Sequence, residues 1–204
     1  VLAATRNLNR LESVGETLLA ALNSIATVAP NWLKAWVPAE WFDRYSRAIE
    51  EYRLPKGIDA RKEYAEIIGT DGMCLLERIW DDATPHELQQ LPTVEILRQT
   101  WVHQYQIVEC QVRLRSANNI PPAGQRMDSP YDPDARFGSK RSTTWSGYKV
   151  HWAETCDDDN VHLITHVITT HGNETDFGET EQVHQALKEK GLLPAEHLVD
   201  TAYV

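Results

Sequence analysis

Residues 147–170 decide the fold, and they read GYKVHWAETCDDDNVHLITHVITT. Residues 147–155 alternate between the two faces of an extended segment, as a half-buried strand does. The polar residues 156–160 favour a turn, and the β-branched run of residues 161–170 favours a returning strand. The stretch therefore predicts an antiparallel β-hairpin.

A helix and a further strand are predicted after the hairpin. Residues 179–190 space their apolar side chains at helical intervals, and Gly191 supplies a stop signal. After Pro194, residues 197–204 read HLVDTAYV, which we interpret as a short strand in the same sheet. Asp200 interrupts this apolar run, and a carboxylate in a buried strand is costly unless a metal ion or a hydrogen-bond donor meets it. The order predicts a mixed α/β fold with a β-β-α-β unit, and it marks Asp200 as a candidate functional residue.

The chain before this unit predicts a mostly helical region that reaches about residue 110. Apolar residues recur at helical spacing from Leu8 to Ile25, and this first helix should end before Pro30. Residues 69–72, which read GTDG, are typical of a loop. Further helices are predicted over residues 39–52, 59–68, 73–80 and 92–108.

The stretch from Asn118 to Pro133 contains four prolines and is the best candidate boundary. We therefore predict a helical region over residues 1–125 and a second, α/β region over residues 126–204. At 204 residues the chain has room for one large or two small domains.

Composition limits the classes of protein. Hydrophobic residues make up 42% of the chain and charged residues 25%, which is typical of a folded globular protein. No run of about 18 apolar residues exists, so we expect no transmembrane helix. The three cysteines lie far apart in the sequence, which suits a reducing compartment, and we expect a cytoplasmic location.

The formal net charge of −10 argues against a generic nucleic-acid binder. The local pattern differs, because residues 136–153 contain basic residues, interleaved aromatic residues and no acidic residue. Such a stretch attracts phosphates; the alternative is a solvated strand edge protected by lysines. Of the seven tryptophans, Trp145 and Trp152 are candidates for DNA contact, and the others favour core positions. The basic residues are Arg136, Lys140, Arg141 and Lys149.

Four short motifs together resemble the DDE transposases of bacterial insertion sequences. In chain order they are DPDAR at 132–136, KR at 140–141, GYKVH at 147–151 and VDTAY at 199–203. In that family a DPDAR…K…GYKxH pattern precedes the strands, and the aspartate of the last motif is the second catalytic acid. Ala202 stands where the family usually has glycine. The ordered set over residues 126–204 carries the resemblance.

The resemblance implies a partial ribonuclease-H-like fold, with the helical region inserted between the first and second strands of the catalytic sheet. The activity implied is DNA transposition by phosphoryl transfer, with two Mg²⁺ (or Mn²⁺) ions held by three carboxylates. Asp200 would be a catalytic and metal-binding residue, and the partner would be DNA at the transposon ends. Homo-oligomer formation is left open. The residues expected to contact DNA phosphates are Arg136, Lys140, Arg141 and Lys149.

Residues 1–16 resemble the sequence that follows the first catalytic aspartate of the family. We therefore expect no first strand in this chain, and we expect the first and third acids to lie outside it. Asp132 and Asp134 are candidates to replace them, although their proline-flanked setting suits a turn equally well. On this reading the chain is a fragment that does not catalyse transposition by itself.

Two alternatives remain open. The chain is compatible with a non-catalytic remnant or DNA-binding protein derived from a transposase. It is also compatible with an unrelated metal-dependent hydrolase that uses Asp200 with His151, His162 and His166. No other ligand accompanies these histidines at metal-motif spacing, so the residues favour zinc only weakly.

Overall fold

A computed structural model describes residues 2–4, 9–122, 125–127, 129–157, 159 and 161–203. The α-helices are α1 (Arg10–Val28), α2 (Pro30–Lys34), α3 (Ala39–Tyr45), α4 (Ile58–Ile79), α5 (Pro92–Gln104) and α6 (Glu179–Glu189). The strands are β1 (Leu2–Ala4), β2 (Tyr105–Val108), β3 (Gln111–Leu114), β4 (Arg136–Lys140), β5 (Thr143–Glu154) and β6 (Ile164–His171). The predicted mixture of helix and strand is confirmed.

The chain divides into two compact units. The α/β unit comprises Val1–Thr5 and Asp134–Val204, and the helical unit comprises Arg6–Pro133. The division falls at the end of the proline-rich stretch that the sequence marks as a boundary. The first residues belong to the α/β unit because β1 pairs with β5. In sequence, the helical unit is therefore inserted between two strands of one sheet.

β5 is the central strand of the α/β unit. Its residues 147–149 pair antiparallel with β1 along one edge. Along the other edge, residues 143–147 pair with β4 and residues 148–154 pair with β6, both antiparallel. Gly147 has partners on both edges, Ala4 on one and Arg136 on the other. One long strand thus joins three others into a single sheet.

The predicted hairpin is confirmed, with β5 and β6 as its two arms. The helix predicted over residues 179–190 is also confirmed as α6. The buried side chains of Val183 and Leu187 pack from α6 against Ala153 on β5, with Ile168 of β6 alongside. This small apolar cluster holds the helix on one face of the sheet.

The prediction that Asp200 lies in a strand is wrong. Residues 192–200 form no regular element, and Thr201–Tyr203 form a 3₁₀ turn. Leu198 is 72% exposed and Val199 40% exposed, so little apolar burial favours a strand here. The Asp200 carboxylate accepts hydrogen bonds from its own turn, which competes with sheet pairing.

The expectation that the chain holds no first strand is also wrong. The backbone of Leu2–Ala4 pairs with β5, with Leu2 opposite Lys149 and Ala4 opposite Gly147. Three residues are enough because they extend a sheet whose other strands are already joined through β5.

In the helical unit, α1 ends before Pro30 as predicted, and it begins behind a capping box formed by Asn9 and Glu12. The loop predicted at residues 69–72 is wrong, because α4 runs unbroken through it. The two glycines make room for aromatic rings instead. A Cβ atom on Gly69 would lie 2.4 Å from the Tyr105 ring, and one on Gly72 would lie 2.1 Å from the Trp101 ring.

Two predicted helices end earlier than their sequence patterns indicate. α3 ends at Tyr45 rather than at residue 52, because the backbone after α3 donates hydrogen bonds to two buried glutamates of α1 instead of continuing the helix. Glu16 accepts a hydrogen bond from the backbone N–H of Ile49, and Glu12 accepts one from Glu51 at 2.9 Å.

The other shortened helix is α5, which ends at Gln104 rather than near residue 108. The chain continues into the β2–β3 hairpin. Glu109 and Cys110 turn this hairpin with φ angles of 50° and 61°, as a two-residue turn of this kind requires.

The close contact at Gly72 yields a stability prediction. Gly72→Ala should lower the free energy of unfolding by about 1 to 3 kcal/mol, because the added methyl group overlaps the buried Trp101 ring. This is opposite in sign to the gain of up to about 1 kcal/mol expected from helix propensity alone. Urea denaturation measures the difference. Thr70→Ala, at an exposed position of the same helix, is the control and should not destabilise. A stabilised Gly72→Ala variant would contradict the packing.

Candidate functional site

A pair of lysines on neighbouring strands shares one carboxylate. Lys140 ends β4, Lys149 lies in β5, and the loop of residues 172–178 brings Asp176 to both. Lys149 Nζ lies 2.9 Å from Asp176 Oδ1, and Lys140 Nζ lies 3.6 Å from Oδ2. Burial acts to raise the pKa of Asp176, but the two ion pairs outweigh it and leave the pKa below its ordinary value. We call these three residues the lysine–aspartate cluster.

The members of this cluster differ in exposure. The Lys140 side chain is 59% exposed, whereas those of Lys149 and Asp176 are 17% and 11% exposed. Lys149 also donates a hydrogen bond to the carbonyl oxygen of Glu174 in the same loop. Lys149 is therefore the inner anchor of the loop, and Lys140 is the outer, more accessible cation.

The two arginines predicted to contact DNA flank the same strands. Arg141 follows β4 at the tip of the β4–β5 hairpin, is exposed, and has a φ of 56°, which is uncommon for a residue with a side chain. Arg136 begins β4, is half-buried, and donates to the carbonyl oxygen of Ala135 at 3.1 Å. The exposed positive charge thus concentrates at the hairpin tip, on Lys140 and Arg141.

Asp200 lies in the exposed C-terminal segment. Its Oδ1 accepts hydrogen bonds from the Thr201 hydroxyl at 3.1 Å and from the backbone N–H of Ala202 at 3.4 Å. The pKa of Asp200 is lowered by the Ala202 N–H first, then by the Thr201 hydroxyl, with a further contribution from the charge of Lys140. The carboxylate is therefore ionised and lies within electrostatic range of the lysine–aspartate cluster.

Polar contacts tether the C-terminal segment on both sides of Asp200. Three residues before it, His197 Nδ1 lies 2.7 Å from Nε2 of His184 on α6. Three residues after it, the Tyr203 hydroxyl lies 2.6 Å from His151 Nδ1 on β5. The Thr180 hydroxyl also donates to the Tyr203 carbonyl oxygen at 3.3 Å. Because the C-terminal segment buries little apolar surface, these hydrogen bonds are the contacts that hold it in place.

His151 is buried and uses both ring nitrogens. Nε2 lies 2.9 Å from the Thr170 hydroxyl, while Nδ1 contacts Tyr203. Burial lowers the pKa of His151, and the nearby carboxylates of Asp176 and Glu179 oppose this only in part. The imidazole is therefore neutral at physiological pH, and it holds the Tyr203 hydroxyl through a hydrogen bond.

The residues described do not fit a complete two-metal site. Among them, no three His, Cys, Asp or Glu side chains converge to hold a metal ion. The Asp134 carbonyl oxygen accepts a hydrogen bond from His171, and the side chain of Asp134 is exposed in the loop before β4.

The histidines considered for zinc do not converge. His151 is occupied by Tyr203 and Thr170, and His166 Nδ1 lies 3.0 Å from the Lys190 ammonium group. His162 is exposed in the connection between β5 and β6. These positions give the hydrolase alternative no support.

The two tryptophans considered for DNA contact have different environments. Trp145 is 3% exposed, and its ring fills the space beside two glycines, Gly138 and Gly172. Trp152 is 43% exposed, opposite Val167 in the β5–β6 ladder. Trp145 is therefore a core residue, and Trp152 alone of the two is accessible to a ligand.

Sequence reasoning missed Asp176, Tyr203 and the histidines that tether the C-terminal segment. The Asp176 loop reads GNETDFG, and its flanking glycines were a signal of a tight, positioned loop rather than of an ordinary polar connection. The partners of Tyr203 and His197 lie far away in the sequence or on another element. No local pattern reports such contacts.

Comparison with known proteins identifies no relative. No protein-family model, curated protein or solved structure matches the chain. In the part of the chain that the structure describes, no helix has the length and apolar character needed to cross a membrane. All three cysteines carry free thiols.

The buried imidazole of His151 predicts a pH dependence of stability. Because its pKa lies below the ordinary value of 6.5, the unfolded chain binds a proton between these two values that the folded chain does not bind. The free energy of unfolding should therefore fall as the pH drops through this window. His151→Gln should reduce this slope, as measured by urea denaturation at several pH values.

His162→Gln is the matched control for this experiment, since His162 is exposed. It should leave the slope as in the unmodified chain. An unchanged slope in His151→Gln would contradict a neutral, buried His151.

Proposed function

We propose that this chain acts on DNA in transposition, as part of a DDE-type transposase of the bacterial insertion-sequence kind. Two features support the proposal. The ordered motifs of residues 132–203 carry the family resemblance, and β5, β6 and α6 follow one another in the order that it implies, although residues 197–200 form no strand. DNA, in particular the transposon ends, is the proposed partner. Cytoplasmic location and homo-oligomer formation stay predictions from the sequence.

The β4–β5 hairpin is the observation that carries the DNA-binding part of this proposal. Its turn places Lys140 and Arg141 side by side at an exposed tip, on a chain whose net charge is −10. A two-stranded ribbon with a basic tip suits contact with the phosphate backbone, which positions a protein on DNA without reading its sequence. The hairpin therefore supplies a local electrostatic attraction that the chain as a whole lacks.

Asp200 is the proposed catalytic and metal-binding acid of the chain, as the resemblance implies. The described residues do not complete a site for the Mg²⁺ or Mn²⁺ ions of such an enzyme. We therefore expect Asp200 to act in cleavage only together with acids from outside this chain, and the chain by itself to bind DNA without cleaving it. A lone carboxylate holds Mg²⁺ weakly, because this ion gives up its water ligands reluctantly.

The second candidate function is DNA binding without catalysis, in a protein derived from a transposase. The absence of a converging ligand set among the described residues favours it over an unrelated metal-dependent hydrolase. The experiment that compares the two candidates measures both strand cleavage and binding of duplex DNA with Mg²⁺ or Mn²⁺, using the chain and its Asp200→Ala variant.

We expect no cleavage by either form of the chain in this assay. Cleavage that is lost in Asp200→Ala would contradict this expectation and establish catalysis through Asp200. If neither form cleaves, DNA binding in the presence of Mg²⁺ that is equal in both forms favours the non-catalytic candidate, and binding that is weaker in Asp200→Ala favours the first candidate.

The hairpin tip yields a binding prediction. Replacing Lys140 and Arg141 together by Ala should weaken binding to duplex DNA roughly tenfold at low salt. It should also reduce the magnitude of the slope of log affinity against log salt concentration by up to about 2, since each phosphate contact contributes about 0.9 to that slope. Fluorescence anisotropy with a labelled duplex measures both quantities.

The matched control is Lys56→Ala with Lys62→Ala, which removes the same charge from exposed positions of the helical unit. This pair should change affinity much less. If the two double variants lose affinity equally, or if neither changes the salt slope, the hairpin is not the DNA-binding element.

A further inference from the structure

The lysine–aspartate cluster has the geometry of an occupied anion site. Two ammonium groups from adjacent strands meet the two oxygens of one carboxylate, at 2.9 and 3.6 Å. A phosphodiester group, like a carboxylate, shares one negative charge between two oxygens, and lysine ammonium groups bind either anion as point charges. The carboxylate of Asp176 therefore occupies the position between the lysines that a phosphate would take.

The loop that carries Asp176 is built so that its position depends on Lys149. Gly178 precedes α6 with a φ of 93°, a conformation that glycine adopts without strain. Gly172, at the other end, packs so closely on the Arg136 carbonyl oxygen that an added Cβ would lie 2.5 Å from it. Between these two glycines, Lys149 binds both Glu174 and Asp176. When the ammonium group of Lys149 changes partner, the loop loses the two hydrogen bonds from that side chain and keeps the backbone hydrogen bond from Gly172 to Gly147.

We propose that Lys140 and Lys149 form a phosphodiester-binding site that Asp176 occupies in the free protein, so that DNA must displace Asp176 to bind there. This inference rests on the proposed function, because DNA is the source of the phosphodiester. Asp176 then acts as an internal competitor that keeps the chain from binding polyanions weakly and unselectively.

Charge accounts for the effect of such a competitor. With Asp176 in place, the positive charge of Lys149 is neutralised by a short ion pair, and that of Lys140 is divided between Asp176 and the more distant Asp200. The three residues of the cluster thus carry one net positive charge where the two lysines alone would carry two, and their attraction for DNA is weaker. Moving Asp176 away frees the ammonium groups of Lys140 and Lys149 from its negative charge, and the local field becomes more attractive to DNA.

The test is the Asp176→Asn variant, which keeps the shape of the side chain and removes its charge. It should bind duplex DNA about fivefold to tenfold more tightly at low salt, because the lysines no longer have to leave a carboxylate. Its salt dependence should become steeper by up to about 1, because no displaced carboxylate takes up a cation when the lysines neutralise phosphates. Adding Lys149→Gln to Asp176→Asn should abolish the gain.

The matched control is Asp157→Asn, which changes the net charge equally at an exposed position before β6. Any acid removed from a chain of net charge −10 raises affinity for DNA somewhat, so the difference between the two variants is the relevant quantity. Thermal unfolding of both variants runs in parallel. A purely structural ion pair would appear as a loss of stability in Asp176→Asn with no gain in affinity beyond that of Asp157→Asn, and this result would overturn the inference.

A second measurement separates failure of the inference from failure of the proposed function. Inorganic phosphate is titrated into Asp176→Asn and the unmodified chain, and the lysine side-chain signals are followed by NMR. Perturbation of Lys149 at lower phosphate concentration in Asp176→Asn than in the unmodified chain supports the anion site, even if neither form binds DNA and the proposed function fails. DNA binding that depends on Lys140 and Arg141, with no phosphate effect on Lys149 in either form, retains the proposed function and overturns the inference.

Discussion

Backbone pairing of β5 along both of its edges is the constraint on which the α/β unit depends. One edge receives β1 from the start of the chain, and the other receives β4 and β6 in succession. This arrangement accounts for the insertion of the helical unit between paired strands of one sheet. It also places Lys140, Lys149 and His151 on adjoining strands. The loop of residues 172–178 contacts the two lysines there, and the C-terminal segment contacts His151. Without the backbone pairing of β5, the residues that make these contacts would not lie next to one another.

Polar contacts, rather than apolar burial, hold the parts of this unit that carry its candidate chemistry. The apolar cluster beneath α6 is small, and exposed residues such as Leu198 contribute little to packing. The C-terminal segment is tethered by imidazoles, and the Asp176 loop is tethered by lysines. Hydrogen bonds and ion pairs of this kind are each worth little in net stability, and they exchange readily with other polar partners. Segments held in this way are well suited to rearrange when a charged ligand arrives.

The sequence predicts those elements whose signals are local and periodic. The hairpin follows from alternation and β-branched residues, and α6 follows from apolar spacing and Gly191. The failures have two causes, which are a distant partner in some cases and a competing local contact in another. The sequence around Gly69 and Gly72 resembles a loop, but the Tyr105 and Trp101 rings occupy the space that side chains at these two positions would fill. Residues 197–204 resemble a strand, but Asp200 bonds its own turn.

The candidate site shows the same limit. Its four basic residues stand together in the sequence, and their charge pattern marks them as a surface for phosphates. What the pattern does not report is that Lys149 is mostly buried against Asp176, or that Lys140 and Arg141 alone form the exposed tip. Asp176 lies in a separate loop and has no motif around it, so its role depends on a contact across 27 residues of sequence.

The central claim is that DNA meets the α/β unit at the β4–β5 hairpin and displaces the loop of residues 172–178. Hydrogen exchange measured peptide by peptide, with and without a duplex of transposon-end length, tests it most directly. The account predicts slower exchange over residues 136–149 on addition of DNA, together with faster exchange over residues 172–178. Slower exchange confined to the helical unit, or slower exchange over residues 172–178, would contradict it.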